Sequence, residues 1–168
     1  MIAFRVLLFL FTASVLTGCY TLGDARPSMM RGISSLAVPV SANRTLEPNV
    51  EDLLADTITK ELQTDGTYSI TYNDRADAIV YTTLVETQRR ASRSVRGNVI
   101  AASEYVLYTT VEYKVVEAVG GKVLMTGEIL GQTSFFVTAD LQSDEAQALP
   151  LAFSDVAIKL ASRLSEGF

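Results

Sequence analysis

The stretch that decides the fold runs from Glu104 to Thr138: EYVLYTTVEYKVVEAV at 104–119, GG at 120–121 and KVLMTGEILGQTSFFVT at 122–138. Both arms are rich in Val, Ile, Thr, Tyr and Phe, side chains that suit the pleated surface of a strand. A Gly-Gly pair can turn with positive φ at little steric cost, so the stretch predicts a β-hairpin. Its arms are far longer than the usual strand of roughly 5–6 residues. We therefore expect other elements to lie along it.

The alternation of side chains favours one of two registers for this hairpin. A two-residue loop at the Gly-Gly pair would place Tyr113 opposite Glu128 and leave both faces mixed. A three-residue loop would instead place Tyr113 opposite Ile129 and Lys114 opposite Glu128, so that one face becomes largely apolar. Because a one-residue slip moves every side chain to the other face, we favour the second register. A two-residue turn followed by a β-bulge would give the same alternation.

Composition indicates one globular domain and argues against several classes of protein. The chain has 168 residues, of which 48% are hydrophobic and 20% charged, with a net charge of −5. The acidic balance gives no general attraction to nucleic acid. The sequence contains no histidine and a single cysteine, which excludes Ser–His and Cys–His nucleophiles and leaves metal ligation without its usual ligands. We expect neither an enzyme nor a cofactor, a metal site or a nucleic-acid partner.

The N-terminus predicts export and lipidation. An apolar run at Val6–Val15 has the length of a signal-peptide core and is too short to span a membrane. It leads into LTGC at 16–19, which resembles a bacterial lipobox. We therefore predict a lipoprotein signal peptide over residues 1–18 and a lipidated Cys19, carrying acyl chains such as palmitate that hold the protein on a membrane. Tyr20 fits the sorting rule for an outer-membrane lipoprotein facing the periplasm.

The rest of the chain predicts an α+β domain over residues 32–168. Residues 19–31 are expected to form a lipidated N-terminus and tether. Strands are predicted at 33–40, at 67–72 and from Ala76 to Glu86 or beyond. Helices are predicted at 49–64 and 150–165. Pro150 is expected in the first turn of the second helix. Both helices carry an apolar stripe that needs a common surface. We expect two helices packed on one face of a mixed sheet of about four to five strands that contains the long hairpin.

The sequence resembles the LptE family of lipopolysaccharide-assembly lipoproteins along nearly all of the predicted mature chain. The residues that carry the resemblance are Leu36-Ala-Val-Pro39, Asn43, Thr45, Pro48, Glu51-Asp-Leu-Leu54, Glu61-Leu62, Asp65-Gly66 and Ala76-Asp77-Ala78, followed by the hairpin and the closing helix. The resemblance implies a non-enzymatic subunit in the lumen of a large outer-membrane β-barrel, an LptD-like translocon protein. Such a subunit steadies the barrel and assists delivery of lipopolysaccharide to the outer leaflet.

A basic group precedes the hairpin. It comprises Arg89, Arg90, Arg93 and Arg96, with no acidic residue between Glu86 and Glu104. Guanidinium groups suit bidentate contacts with the phosphates and carboxylates of lipopolysaccharide. In proteins of the LptE family a basic residue of the loop before the long hairpin is implicated in touching lipopolysaccharide, and Arg96 is the matching position. The other interpretation of this charge pattern is a solvated loop without a ligand.

A second function from a different class fits the same export signals. An auxiliary periplasmic lipoprotein of an ABC-type lipid transporter would also be lipidated at Cys19 and would also lack catalytic residues. It would act with an inner-membrane permease and ATPase, whereas an LptE protein acts with an outer-membrane barrel. The purified partner therefore separates the two hypotheses.

Overall fold

The protein folds as a mixed β-sheet with two α-helices on one face. The computed structural model describes residues 26–93, 104–137 and 140–167. The strands within these ranges are β1 (Ser35–Ala37), β2 (Ala42–Asn43), β3 (Ser69–Ile70), β4 (Ala78–Arg93), β5 (Glu104–Glu117) and β6 (Val123–Phe136), and the helices are α1 (Glu51–Asp65) and α2 (Leu141–Ser165), preceded by a short 3-10 helix at Ser28–Met30. The predicted α+β architecture is confirmed. The sheet has six strands, slightly more than predicted.

The sheet combines a short parallel part with a long antiparallel part. Its order is β3-β1-β4-β5-β6, and β2 pairs separately with β4. The short strands pair in parallel with each other and with β4. The three long strands β4, β5 and β6 form an antiparallel meander. The hairpin therefore has β4 along its full length on one side and α2 across its face, as its length predicted.

The side-chain alternation predicted for the hairpin is confirmed, but the register is shifted by two residues. Tyr113 lies opposite Gly127, not Ile129. The odd-numbered residues of both strands still face the same side, and most of them are buried. The ring of Tyr113 covers Gly127 closely, since a Cβ at that glycine would lie 2.8 Å from the Cε1 atom of the ring. An aromatic ring thus fills the space that the glycine leaves on the buried face.

The shift has two causes, a longer turn and a bulge. The turn consists of residues 118–121, with a positive φ at both of its glycines. Leu124 is an extra residue of β6, because its neighbours pair with successive residues of β5. The turn by itself would reverse the alternation, and the one-residue bulge restores it. The predicted pair of Lys114 with Glu128 is therefore wrong, and Glu112 lies opposite Glu128 instead.

The second helix begins nine residues earlier than predicted. It spans Leu141–Ser165, so Pro150 lies inside the helix and not in its first turn. The carboxylate of Asp140 accepts hydrogen bonds from the backbone N–H groups of Gln142 and Ser143. This N-cap satisfies two amides that a helix start leaves without partners. A strong cap upstream moved the helix start away from the proline.

The predicted boundaries of α1 are confirmed to within about two residues. Its apolar stripe buries Leu54, Ile58 and Leu62 against the core. Gly66 ends the helix in the left-handed conformation, with φ at 74°, and its N–H donates to the carbonyl of Leu62 at 3.2 Å. Such a left-handed glycine is a common helix terminator. The two helices pack side by side over the sheet.

A second bulge lies in the middle of β4. Leu84 pairs with Val111, but Glu86 pairs with Thr110, which leaves Val85 without a partner in β5. Before the bulge the even-numbered side chains of β4 face the helices; beyond it the odd-numbered ones do. A bulge commonly re-aims the side chains that follow it. Here it decides which arginine of the basic group faces which side.

The long strands give the molecule two distinct ends. The end at which β1 pairs with β3 and with the start of β4 also holds the hairpin turn and the C-terminus of α2; we call it the base. The opposite end, which we call the tip, comprises residues 88–93, 104–107 and 133–136 together with the N-terminus of α2. Arg89, Arg90 and Arg93 of the basic group therefore belong to the tip.

Candidate functional site

Among the predicted site residues, the structure describes Arg89 and Arg90 with their side chains and Arg93 through its backbone pairing alone. Cys19 and Arg96 lie outside the described residues. Arg89 and Arg90 lie within β4, and Arg93 is the last residue of that strand, where it pairs with Glu104. The first part of the basic stretch is thus a strand and not the loop that its polarity predicted. Cross-strand pairing with β5 overrides the weak local preference of this polar segment.

Arg89 faces the helices and is engaged by α2. Its Nη1 atom lies 2.5 Å from Oε2 of Glu145 and donates a hydrogen bond to it. The arginine side chain is 48% exposed, whereas that of Glu145 is only 15% exposed. A charge-assisted bond with one partner largely shielded from water is stronger than an open surface pair. Arg89 therefore fastens the start of α2 to the sheet.

The cleft around Arg89 is acidic. It has a volume of about 510 Å³. Its lining consists of Glu47, Pro48, Arg89, Asp140, Leu141, Gln142, Glu145 and Ala146. The hydroxyl and N–H of Ser143 and the N–H of Gln142 lower the pKa of Asp140, so that it stays ionised. One guanidinium shares this cleft with three carboxylates, so an incoming anion meets net repulsion there.

Arg90 faces the opposite side of the sheet, away from the helices. Its guanidinium carbon lies 5.3 Å from the ring centroid of Tyr108, a cation–π arrangement. Its Nη2 atom donates to the side-chain oxygen of Gln88 at 3.2 Å, and Gln88 in turn donates to Glu86. A shallow cavity of about 250 Å³ adjoins these side chains. The ring orients the guanidinium on an exposed surface, away from the acidic cleft.

The basic group is therefore divided between two faces of the sheet. Arg89 and Arg90 are neighbours in sequence, but the pleat sends them to opposite sides. The two do not form one bidentate cradle for an anion. On the open face, Arg90 is accompanied by exposed apolar side chains: Leu130 is 49% exposed and Phe136 is 65% exposed. A cation among exposed apolar groups suits an amphipathic ligand with anionic groups better than a small hydrophilic anion.

Asp77 lies near the start of the strand predicted from Ala76, and its side chain ties the base together. Its Oδ2 atom accepts hydrogen bonds from the N–H of Ser34, the hydroxyl of Ser34 and the N–H of Ser35 at 2.8–2.9 Å. These bonds, from Ser34 first and then Ser35, lower the pKa of Asp77 from 3.8 to about 2. The alternation of the segment offered no signal for this role, because the two serines lie more than 40 residues away.

Asn43 explains part of the family-like pattern. Its side-chain nitrogen donates to the carbonyl of Glu47 at 2.7 Å and to the carboxylate of Glu51 at 3.3 Å. Its side-chain oxygen accepts from the N–H and the hydroxyl of Thr45. These bonds shape the connection that leads into α1. The spaced polar residues of this segment are thus structural and form no catalytic group.

Within residues 26–93, 104–137 and 140–167, no three side chains of His, Cys, Asp or Glu come together as a metal site would require. Neither of the helices there is both long and apolar enough to cross a lipid bilayer.

Comparison with known proteins adds a family and a fold. The sequence model of the LptE family, described as lipopolysaccharide assembly, matches residues 33–164. A search of curated proteins found no significant match.

Three solved structures share the fold. A PelC dodecamer from Paraburkholderia phytofirmans aligns with a TM-score of 0.51 at 17% identity, covering 83% of this chain and 94% of that one. A minor lipoprotein from Acinetobacter baumannii gives 0.52 at 14% identity, covering 80% and 94%. A Xanthomonas campestris protein gives 0.55 at 13% identity, covering 80% and 85%. At such identities the likeness concerns the fold alone.

Proposed function

Because the chain belongs to the LptE family of lipopolysaccharide-assembly lipoproteins, we propose that it plugs and steadies the β-barrel that translocates lipopolysaccharide across the outer membrane. The family is non-enzymatic, so the role is structural and ligand-binding. The family match over residues 33–164 carries this proposal and favours it over an auxiliary subunit of an ABC-type transporter. In the proposed role the protein assists delivery of lipopolysaccharide to the outer leaflet, together with an LptD-like barrel.

The anchor would hold the base close to the membrane. Arg26 lies seven positions after Cys19, and an extended chain of that length spans at most about 25 Å. Arg26 is fixed to the base, since its Nη1 donates to the carbonyl of Ile33 at 2.9 Å and its guanidinium lies over the ring of Tyr68. Met30, within the predicted tether segment, is fully buried. A lipid on Cys19 would therefore restrain the base, while the tip projects away.

The dimensions of the sheet fit a plug. The 16 residues of β4 extend for about 50 Å at roughly 3.3 Å per residue. The hydrocarbon core of a bilayer is about 30 Å thick. A domain that is anchored at its base can therefore reach from one side of a barrel lumen to the other. In this arrangement the arginine-bearing tip lies farthest from the lipid anchor.

We propose that the tip contacts lipopolysaccharide. Arg90 is the described side chain best placed for it, because its guanidinium is oriented by Tyr108 on an exposed face with apolar neighbours. Arg89, Arg93 and Arg96 are assigned to the same site with a supporting role, since they precede the hairpin in the same segment. Phosphate groups of lipid A would pair with the guanidinium groups, and the apolar side chains would lie against its acyl part.

The partner is tested by purification of the lipidated protein from solubilised outer membranes. The proposal predicts that a large outer-membrane β-barrel protein is retained in stoichiometric amount. Retention of transporter ATPase and permease subunits without a barrel would contradict it and would support the alternative function.

The contact site is tested by binding of purified lipopolysaccharide. We expect Arg90→Gln to weaken binding about tenfold, because a charge-assisted hydrogen bond contributes roughly 1.5–3 kcal/mol. Arg44→Gln is the matched control, since Arg44 is an exposed arginine paired with Glu112 outside the tip. The combined substitution of Arg89, Arg90, Arg93 and Arg96 should weaken binding further without unfolding the domain. Equal effects of Arg90→Gln and Arg44→Gln would refute the assignment.

A further inference from the structure

The helix α2 is interrupted at one point of its hydrogen-bond ladder. Pro150 lies inside the helix and has no N–H group, so the carbonyl of Ala146 lacks its intrahelical donor. The residues before it, Leu141–Leu149, are mostly exposed or half-buried, and only the last two are buried. The residues after it carry most of the buried stripe of the helix. We call Leu141–Leu149 the flap.

Beyond the proline the helix is locked to the sheet. Gly131 of β6 lies so close to α2 that a Cβ there would lie 2.5 Å from the carbonyl oxygen of Ala152 and would also collide with Val156. The helix backbone can approach a strand this closely only where the side chain is absent. The rest of α2 therefore cannot shift easily against the sheet, and any movement of the flap must pivot near Pro150.

The sheet beside this pivot contains two hydroxyl groups without partners. Thr87 and Thr109 pair directly across β4 and β5 on the face towards the helices. The Oγ1 atoms of both are buried and make no hydrogen bond with any described group. Thr109 lies opposite Gly131, so this pair of hydroxyls is covered by the part of α2 beyond Pro150 and marks where the flap ends.

The flap is fastened to the tip by the bond between Arg89 and Glu145. This bond joins the middle of the flap to β4 across the acidic cleft. An anion can pair with Arg89 only when Glu145 withdraws, since Glu145 occupies the guanidinium and adds its charge to the cleft. Binding of an anion at Arg89 and closure of the flap are therefore competing states.

We propose that the flap is a hinged segment latched by Arg89 and Glu145, and that an anionic group of lipopolysaccharide opens it by taking Glu145's place on Arg89. The hinge is Pro150, and the interface at Gly131 holds the remainder of α2 in place. The identity of the ligand rests on the proposed function, whereas the latch stands on the geometry alone. In this arrangement, ligand arrival at the tip is converted into release of a helical segment.

The latch is tested by amide hydrogen exchange of the full lipidated chain in detergent micelles. Glu145→Gln should make the amides of Leu141–Leu149 exchange about two- to fivefold faster, the range expected for loss of a partly shielded ion pair. Amides after Pro150 should not change. Glu112→Gln is the matched control, because it removes the same charge from an exposed pair with Arg44. Unchanged exchange of the flap in Glu145→Gln would overturn the latch.

The hinge is tested in the same experiment with Pro150→Ala. Alanine supplies an N–H for the carbonyl of Ala146 and continues the helix. The flap amides should then exchange severalfold more slowly than in the wild type, and the effect of Glu145→Gln should shrink. Equal exchange of the flap in Pro150→Ala and the wild type would exclude Pro150 as the hinge.

Opening of the flap by the ligand is tested in the same exchange experiment with purified lipopolysaccharide, and dephosphorylated lipopolysaccharide serves as the control. In the wild type, lipopolysaccharide should speed flap exchange to about the level of Glu145→Gln, and in Glu145→Gln it should add little. Binding without faster exchange would overturn the ligand-driven opening and leave the proposed function standing. Absence of binding would overturn the proposed function and the ligand-driven opening together, while the comparison of Glu145→Gln with the wild type still decides the latch.

Discussion

The base and the tip of the sheet are held by different kinds of contact. At the base, Asp77 joins β1 to β4 through three hydrogen bonds, and the hydroxyl of Tyr68 donates to the carbonyl of Leu164 at 2.6 Å. At the tip, the start of α2 is joined to β4 by the half-exposed pair of Arg89 and Glu145. Several hydrogen bonds, of which the one from Tyr68 is buried, make a rigid end, whereas a partly exposed ion pair makes an end at which a ligand can compete.

This difference suits a protein that is anchored at one end and works at the other. Substitutions at matched positions test whether the two ends differ in this way.

The largest effect is expected in the core under the second half of α2. Leu160 is fully buried, so Leu160→Ala should lower the free energy of unfolding by about 2–5 kcal/mol. Leu141 lies in the flap and is only partly buried, so Leu141→Ala should cost less than about 1 kcal/mol. Urea unfolding measures both. Equal losses would show that the flap belongs to the same rigid core as the rest of the helix.

The next effect concerns the two glycines of β6 that face the core. Gly131→Ala should cost about 1–3 kcal/mol, because the added methyl group meets the helix backbone at Ala152. Gly127→Ala should cost less than about 1 kcal/mol, because it meets only the ring of Tyr113, which can rotate away. Thermal unfolding of the two variants side by side checks the order. The reverse order would contradict a close contact between α2 and β6.

A smaller, pH-dependent effect is expected at the base. Hydrogen bonds from Ser34 and Ser35 lower the pKa of Asp77 from 3.8 to about 2, so the carboxylate stabilises the fold above pH 4 and loses this contribution as the pH falls towards 2. Asp77→Asn should cost about 0.5–1 kcal/mol at pH 7, a value reduced for solvent exposure. The difference from the wild type should narrow between pH 4 and 2. An unchanged difference at pH 2.5 would contradict this explanation.

The smallest effect lies on the open face. Glu112 and Glu128 are directly opposite each other, and Glu112 is also bound by Arg44 at 3.2 Å. Glu128→Gln removes the like-charge pair and keeps the ion pair, so it should stabilise the protein by about 0.2–0.5 kcal/mol at low salt. Glu112→Gln removes both the like-charge pair and the ion pair, so it should leave the free energy of unfolding nearly unchanged. Thermal unfolding in 1 M salt should abolish the difference between the variants, since salt screens exposed charges.

The hairpin could be predicted in part from the sequence. Its two strands and the side that each residue faces follow from the alternation around the Gly-Gly pair, and the structure confirms them. The pairing partners did not follow, because the turn takes in residues 118–121 and the bulge at Leu124 adds one residue to β6, which together shift the register by two residues. The side that a residue faces follows from the alternation within its own strand. The pairing register depends instead on the length of the turn and on where a bulge places an extra residue.

The start of α2 was missed although a local signal existed. Asp140 followed three residues later by Ser143 is a typical N-cap arrangement, since the carboxylate reaches both the N–H and the hydroxyl of that serine. Pro150 was taken as the first turn because proline is favoured there. Tertiary contacts, including the bond between Arg89 and Glu145, hold the helix together on both sides of the proline.

The division of the basic group between two faces was beyond prediction. It depends on the bulge at Val85, which exchanges the faces of the residues that follow it up to Ala91, and on a second bulge between Ala91 and Arg93. It also depends on partners that lie far away in sequence, since Glu145 is 56 residues from Arg89. Charge pattern alone located the group and gave its composition, whereas long-range packing decided which arginine remained available on the exposed face.

The most direct test of the proposed function compares tip and base by photo-crosslinking to lipopolysaccharide in cells. A photoreactive residue at Gln88, beside Arg90 on the exposed face of the tip, should crosslink to lipopolysaccharide. The same residue at Tyr72, which is highly exposed at the base, should not. Crosslinking at Tyr72 equal to or greater than that at Gln88 would contradict the account, because contact would then not be confined to the tip.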